Sequence, residues 1–340
     1  MRGEHLKAAV LHAPYDIRIE ELPRPTLPKG HVLVKVIAVG ICGTDLAMYR
    51  GNLAPRKLPL VPGHEFSGLV ERVGEGVDPS MEGTRVVAEI NVTCGKCWFC
   101  KHGLRTHCLF RKAIGIDLDG AMAEYVLVPV SNLHVLPEGI SFEEAVLVEP
   151  LAAVVRMAQL VDIPIGSTVV ILGSGPIGLL SLQVVKLRGA TQVVAIDLLE
   201  ERLQVARELG ADITLNLSEE SDPVSRILEI TDNKGADVVV EATGDPKALD
   251  LALKMVRPRG VIAAKSTHGL PTTFNYTELV VKEISLVGSR CGPFEHAISL
   301  ISKGLVNVNK LITHIMPLDE VARAFDLSLK KVGIKVVLKP

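Results

Sequence analysis

The chain lacks an excess of charge of either sign, is poor in aromatic rings, and has no long unbroken apolar run. Its 37 Lys and Arg nearly cancel 39 Asp and Glu, leaving a net charge of −2, which removes the electrostatic basis for binding a nucleic acid or an anionic membrane. Aromatic residues make up 4 % of the chain, with a single Trp, too few for a surface on which bases stack. The most apolar stretch, residues 145–161, is interrupted by Glu149, Pro150 and Arg156, so no membrane span is expected. The opening residues MRGEHLKAAVL hold no apolar core of a secretory signal, and the expected location is the cytoplasm. What the chain does have is 48 % hydrophobic residues over 340 positions, enough to exclude bulk disorder and to build two domains at roughly 100–200 residues each. The expected partner is a small molecule.

Cysteine is sparse but concentrated. Five of the six cysteines lie between positions 42 and 108, and four of them, Cys94, Cys97, Cys100 and Cys108, are spaced C-x2-C-x2-C-x7-C. The gaps are too short for several compatible disulfides, whereas thiolates gathered by such turns close a tetrahedron around Zn2+. An iron–sulfur cluster is the rival reading, but its run needs three residues and then Cys-Pro; here seven residues intervene and Leu109 follows. A structural zinc lobe over about 94–108 is therefore expected. His102 and His107 lie within it, and four thiols already fill the shell, so both are expected as exposed loop histidines.

Cys42 stands apart in GICGTDLAMYRG, and VPGHEFSG later offers His64 and Glu65 beside a Pro-Gly turn. Singly, such a Cys is usually a core residue and such a His-Glu pair is usually solvated. Together they offer a thiol, an imidazole and a carboxylate from loops, and a catalytic zinc keeps about three protein ligands with one position open.

From residue 166 the pattern becomes strand, glycine turn, uncharged helix, strand and charged helix, a βαβ unit. Gly173, Gly175 and Gly178 form G-x-G-x-x-G, with Pro176 and Ile177 between the last two. The motif supplies a tight turn, bare backbone facing a pyrophosphate and close helix packing. Asp197 ends the second strand, where a carboxylate accepts from the adenosine ribose and repels a 2′-phosphate, so NAD is expected rather than NADP. Leu198 and Leu199 follow in place of a basic residue. Strand and helix patterns then alternate through about residue 289, as an open parallel sheet requires.

Taken as a set, Cys42-Gly43-Thr44-Asp45, Gly63-His64-Glu65, the four-cysteine lobe, Glu149-Pro150-Leu151 and the glycine fingerprint with Asp197 resemble the zinc-dependent medium-chain alcohol and polyol dehydrogenases. The likeness is greatest to the sorbitol and polyol dehydrogenase branch. It implies an α/β protein with a GroES-like β-barrel catalytic domain over 1–150, a Rossmann doubly wound parallel sheet over 151–289, and a C-terminal return to the catalytic domain over 290–340. It further implies two Zn2+ per chain, one catalytic and one structural, with NAD as cofactor, and assembly as a homotetramer or homodimer. Cys42 and His64 would bind the catalytic zinc. Glu65 and Glu149 would each be a ligand or hold the water beside it, Asp45 would orient His64, Thr44 would take the alcohol proton, and Arg290 would meet substrate or support the site. Turn and helix-cap chemistry is the plainer role for Thr44 and Asp45, and an ordinary ion pair for Arg290. One departure is Ala47, where many relatives carry a relay histidine; another is Cys291 in place of an aromatic.

The implied reaction is hydride transfer from a secondary alcohol of polyol, cyclitol or sugar-derived type to NAD. The alternatives are a threonine or simple-alcohol dehydrogenase and, from another class, a non-catalytic protein that binds NAD and zinc as a structural or sensing element.

Overall fold

In a computed structural model of the chain, residues 5–340 are described. They divide into two compact units: one runs to Glu149 and resumes with Ile312–Pro340, and the other is Pro150–Leu311. No helix among the described residues is long and apolar enough to cross a membrane.

The first unit is mainly β. A seven-stranded sheet has Ile312–Pro317, Lys335–Lys339, His31–Gly40, Glu65–Val73, Arg85–Ala88 and Leu133–Val135 as successive neighbours, with Tyr125–Pro129 also paired to His31–Gly40. The hairpin His5–Ala13 with Asp16–Pro23 is a separate two-stranded sheet, tied to the segments that lead into two of these strands through Ala9 N–H to Met122 O (2.8 Å) and Leu11 N–H to Leu60 O (2.8 Å). Tyr125–Pro129 alternates buried and half-buried residues, whereas His31–Gly40 and Glu65–Val73 are buried over consecutive residues, so both of their faces are covered along much of their length. Val10, Val34, Val36, Phe66, Val70 and Val126 meet in one core, closed by Val321, Ala324 and Phe325 from the helix Val321–Leu329. That helix connects the parallel pair Ile312–Pro317 and Lys335–Lys339, since parallel neighbours need a crossover.

Register places the chemistry. Gly40 is opposite Glu65 in the antiparallel pair, and Val337 is opposite Gly40 on the other side. The segments holding Cys42 and His64 therefore leave the sheet at one end, and Lys335 arrives there from the C-terminal strand.

The second unit is a six-stranded parallel sheet in the order Ile213–Asn216, Gln192–Asp197, Thr168–Leu172, Ala236–Glu241, Val256–Ala264, Ser285–Gly288. The order reverses direction between Thr168–Leu172 and Ala236–Glu241, the switch point at which doubly wound sheets bind ligands. The helix Pro176–Arg188 is buried from Gly178 to Val185, which explains why it carries no charge before Lys186. Residues 290–311, expected to go with the C-terminal return, belong to this unit, and the return starts at Ile312. Gln183 holds them by donating to Asn307 O (3.2 Å) and accepting from Asn307 N–H (2.7 Å).

Candidate active site and metal centres

Two clusters in the first unit have metal-binding composition: Cys94, Cys97, Cys100 and Cys108, and separately Cys42, His64 and Glu65. Within each, the donor atoms lie within 4.8 Å of one another.

The four cysteines are carried by a lobe whose base is the short antiparallel pair Asn91–Val92 and Lys112–Ala113. Between these lie the one-turn helix Trp98–Lys101 and the 3-10 turn Arg105–His107. The Sγ atoms of Cys97 and Cys100 are 3.5 Å apart and those of Cys94 and Cys108 are 3.6 Å apart. Sulfurs bound to zinc at about 2.3 Å stand about 3.8 Å from one another, while a disulfide would need about 2.05 Å. The spacing therefore suits a tetrahedral ion. Backbone N–H groups of Cys94 and Phe110 point at Cys108 Sγ and that of Cys97 at Cys94 Sγ, each at 3.4 Å, which favours thiolates. N–H groups of Cys100 and Leu109 bring the Cys97 thiol down to about 6. His102 and His107 are exposed and outside the cluster.

The second cluster is built from distant segments. Cys42 is the N-cap of the helix Gly43–Tyr49, and its Sγ lies 3.8 Å from Thr44 Oγ1. Asp45, buried in the first turn, accepts the N–H of Cys42 at 2.8 Å on one oxygen and that of Gly63 at 3.3 Å on the other. One carboxylate thus clasps the loop of the thiol to the loop of the imidazole. Gly63 has φ +95°, and a Cβ there would stand 2.8 Å from the Met122 side chain and 2.9 Å from its backbone nitrogen, so this close turn requires glycine.

His64 Nδ1 is buried with no hydrogen-bond partner and lies 3.6 Å from Asp45 Oδ1, leaving Nε2 as the ring nitrogen available to a metal. Burial disfavours its charged form, but the Asp45 carboxylate and the Cys42 thiol outweigh burial and raise its pKa well above the ordinary value. Burial, with Glu65 adding, pushes the Cys42 thiol up. A thiol, an imidazole and a carboxylate, three donors with one tetrahedral position left, suit a zinc that must accept another ligand. Glu149, half-buried in the first turn of the helix Val148–Leu160, is outside this cluster.

In the second unit the glycine loop follows Thr168–Leu172. Gly173 has φ +98°, and a Cβ on Gly178 would lie 1.8 Å from Gly173 O, so no other residue fits there. Gly175 is the N-cap and Pro176 the first residue of the helix Pro176–Arg188, with Ile177 in its first turn. Asp197 accepts the Ser174 N–H at 2.7 Å on one oxygen and the N–H groups of Leu198 and Leu199 at 2.8 and 3.1 Å on the other. The carboxylate is thereby tied to the loop, and the oxygen that accepts only the Ser174 N–H keeps a lone pair for a ribose hydroxyl. Arg290 follows Ser285–Gly288 and is exposed.

Two family models match: the alcohol dehydrogenase GroES-like domain over residues 28–138 and the zinc-binding dehydrogenase domain over 176–303. A sorbitol dehydrogenase of Halalkalibacterium halodurans is 36 % identical over 97 % of this chain and 97 % of its own. An L-threonine 3-dehydrogenase of Bacillus subtilis is 37 % identical over 95 % and 94 %. The chain belongs to the zinc-dependent medium-chain alcohol dehydrogenase family. An alcohol dehydrogenase structure from E. coli CFT073, complexed with NADH, superposes with a TM-score of 0.91 at 33 % identity, covering 99 % of this chain and 100 % of the other.

Several residues of this dehydrogenase carry no local signal in the sequence. Lys335 is buried against Glu65 and donates to Ile41 O at 3.0 Å. In the second unit, Glu241 at the end of Ala236–Glu241 is buried and accepts from Thr243 N–H (2.9 Å), Thr243 Oγ1 (2.7 Å) and Ser266 Oγ (2.9 Å). It fixes the loop beside the switch point. Lys265 donates to Ala153 O (3.0 Å), Ser289 O (3.1 Å) and Ser289 Oγ (3.2 Å), anchoring the residue before Arg290. Arg202 places Nη1 3.7 Å from the position of a Gly175 Cβ. A basic residue thus does sit by the glycine loop, five positions after Asp197 and not directly behind it.

Proposed function

We propose that this dehydrogenase oxidises a secondary alcohol of polyol, cyclitol or sugar-derived type, using NAD and two zinc ions per chain. The observation that carries the reading is the convergence of Cys42, His64 and Glu65, three donors of different chemistry, in a chain whose other unit holds a complete dinucleotide fingerprint. Cys42, His64 and Glu65 hold the catalytic zinc, while Glu149, outside the cluster, holds water or substrate near it. The four-cysteine lobe holds the structural zinc, its four sulfurs leaving no position for substrate. The polyol class is supported by the sorbitol dehydrogenase relative. The threonine 3-dehydrogenase relative, at 37 % identity, supports amino-alcohol oxidation as the second reading.

Bound zinc supplies Lewis acidity that acidifies an alcohol, and the nicotinamide accepts its hydride. The chain's own groups do the rest. Asp45 holds the Cys42 and His64 loops in register and faces His64 Nδ1, which orients the ring and raises its basicity. The Thr44 hydroxyl takes the alcohol proton and passes it to water, since Ala47 offers no imidazole to carry it on. Gly173, Gly175 and Gly178 admit the pyrophosphate against the N-terminus of the helix Pro176–Arg188. Asp197 accepts from the ribose and selects NAD.

We further infer a homo-oligomer, a dimer or tetramer. Ser285–Gly288 is paired on one side only, and Leu286, Val280 and Val281 beside it are exposed; an open apolar edge invites a second strand. Light scattering of wild type and Leu286→Lys tests this. For the reaction, NAD reduction is measured across polyols, L-threonine and short alcohols. Turnover confined to polyols supports the first reading, turnover confined to L-threonine the second, and inactivity on all three with metal and NAD bound overturns both. Asp197→Ala, titrated with NADH and NADPH, is expected to narrow the preference about tenfold or more.

A further inference from the structure

Lys335 and Glu65 form an ion pair in which each side chain is 2 % exposed. The fold makes room for it. A Cβ on Gly40 would lie 2.7 Å from Lys335 Cε and 2.9 Å from Glu65 Oε2, so the strand His31–Gly40 is hollowed where the pair crosses it. The register Val337 to Gly40 carries Lys335 to the level of Cys42, and the ammonium also donates to Ile41 O at 3.0 Å. Burying an ammonium is costly and gives little net stability compared with an apolar pair, so its place beside three metal donors calls for another explanation.

Resting on the reading of Cys42, His64 and Glu65 as a zinc site, we propose that Lys335 is a positioning residue that shares Glu65 with the metal. Glu65 Oε2 is committed to Lys335, so the carboxylate gives the ion only part of its charge. A thiolate and a full carboxylate would cancel the charge of a divalent ion. The buried Asp45 carboxylate adds one more negative charge and the ammonium offsets it, so the site does not become net negative and Glu65 stays a carboxylate that an incoming alcohol can displace. Without Lys335, Glu65 has one partner left and binds the ion closely.

The test is release of Co2+ from the full-length protein into excess EDTA, followed by visible absorption and restricted to the fraction that Cys42→Ser removes. Lys335→Met is expected to slow release about tenfold, opposite in sign to the loss of affinity usual when a metal ligand loses its partner, and to change the Co2+ spectrum. The slowing should be several-fold smaller in the Glu65→Gln background, because there is then no carboxylate to hand over. Wild-type or faster release in Lys335→Met overturns the proposal. So does equal slowing in both backgrounds, which would reduce Lys335 to a charge that merely repels the ion. If Lys335→Met does not fold unaided, saturating Zn2+ should restore it, and a variant that stays unfolded with Zn2+ also overturns the proposal. A wild-type protein with no Co2+ removable by Cys42→Ser contradicts the zinc-site reading itself.

Discussion

The four-cysteine lobe and the Cys42 cluster are two answers to holding the same kind of ion. The lobe draws four donors of one type from positions 94–108, three half-buried and Cys108 buried, with N–H groups of their own turns pointing at the sulfurs. The Cys42 cluster draws three donors of different type from two loops, buries its imidazole and carboxylate, and needs Asp45 to join the loops and Lys335 to balance the charge. A saturated local site can do little but hold the fold together. An unsaturated site assembled from distant segments has an open position, and that position is where substrate chemistry can occur.

Substitutions should separate the two. Cys42→Ser is expected to lower turnover by about three orders of magnitude or more, with NADH binding by fluorescence unchanged and one equivalent of metal lost. Cys97→Ala is expected to cost on the order of 3 kcal/mol of stability in a melting experiment, while the folded fraction keeps most of its turnover. If Cys97→Ala removed activity and left the melting curve in place, the roles would be reversed. Asp45→Asn keeps one of the two acceptors of the clasp, sets an NH2 donor against the other N–H, and removes the charge facing His64. Turnover should fall about 10- to 100-fold, with the lobe metal undisturbed.

Acidification sharpens the contrast further. In the metal-free cluster the pKa values of Cys42 and His64 are both raised, so protons compete with the metal from a higher pH than at free side chains. In the lobe, N–H donors lower Cys94 and Cys97, Cys97 to about 6, while burial and the neighbouring thiols push Cys100 up to about 11, so two of the four lobe thiols resist protonation where neither Cys42 nor His64 does. Lowering the pH from about 8 to about 6 should therefore release the Cys42-site ion before the lobe ion, because metal binding requires deprotonated ligands. Equilibrium dialysis of wild type and Cys42→Ser over that range resolves the order.

How legible each part was follows from sequence distance. The lobe and the glycine fingerprint are complete within short stretches, so residue spacing alone carries them. Cys42, His64 and Glu65 are flagged by short motifs, but only the pairing of Gly40 with Glu65 brings them together. Glu149, in the first turn of Val148–Leu160, is not among these donors, which spacing could not reveal. Lys335 is 270 residues from Glu65. Nothing in GIKVVLKP distinguishes its lysine from a solvated one until the strand register is known. The end of the second unit was likewise hidden, because the contacts that hold residues 290–311, among them the Gln183 pairing with Asn307 and the Lys310–Glu208 ion pair, carry no motif.

Zinc content per folded chain, measured in wild type, Cys42→Ser and Cys97→Ala, bears most directly on this division of labour. Two equivalents are expected in the wild type and one in each variant, with only the Cys42→Ser loss abolishing NAD reduction. Full zinc occupancy in Cys42→Ser, or undiminished turnover after its ion is gone, would contradict it.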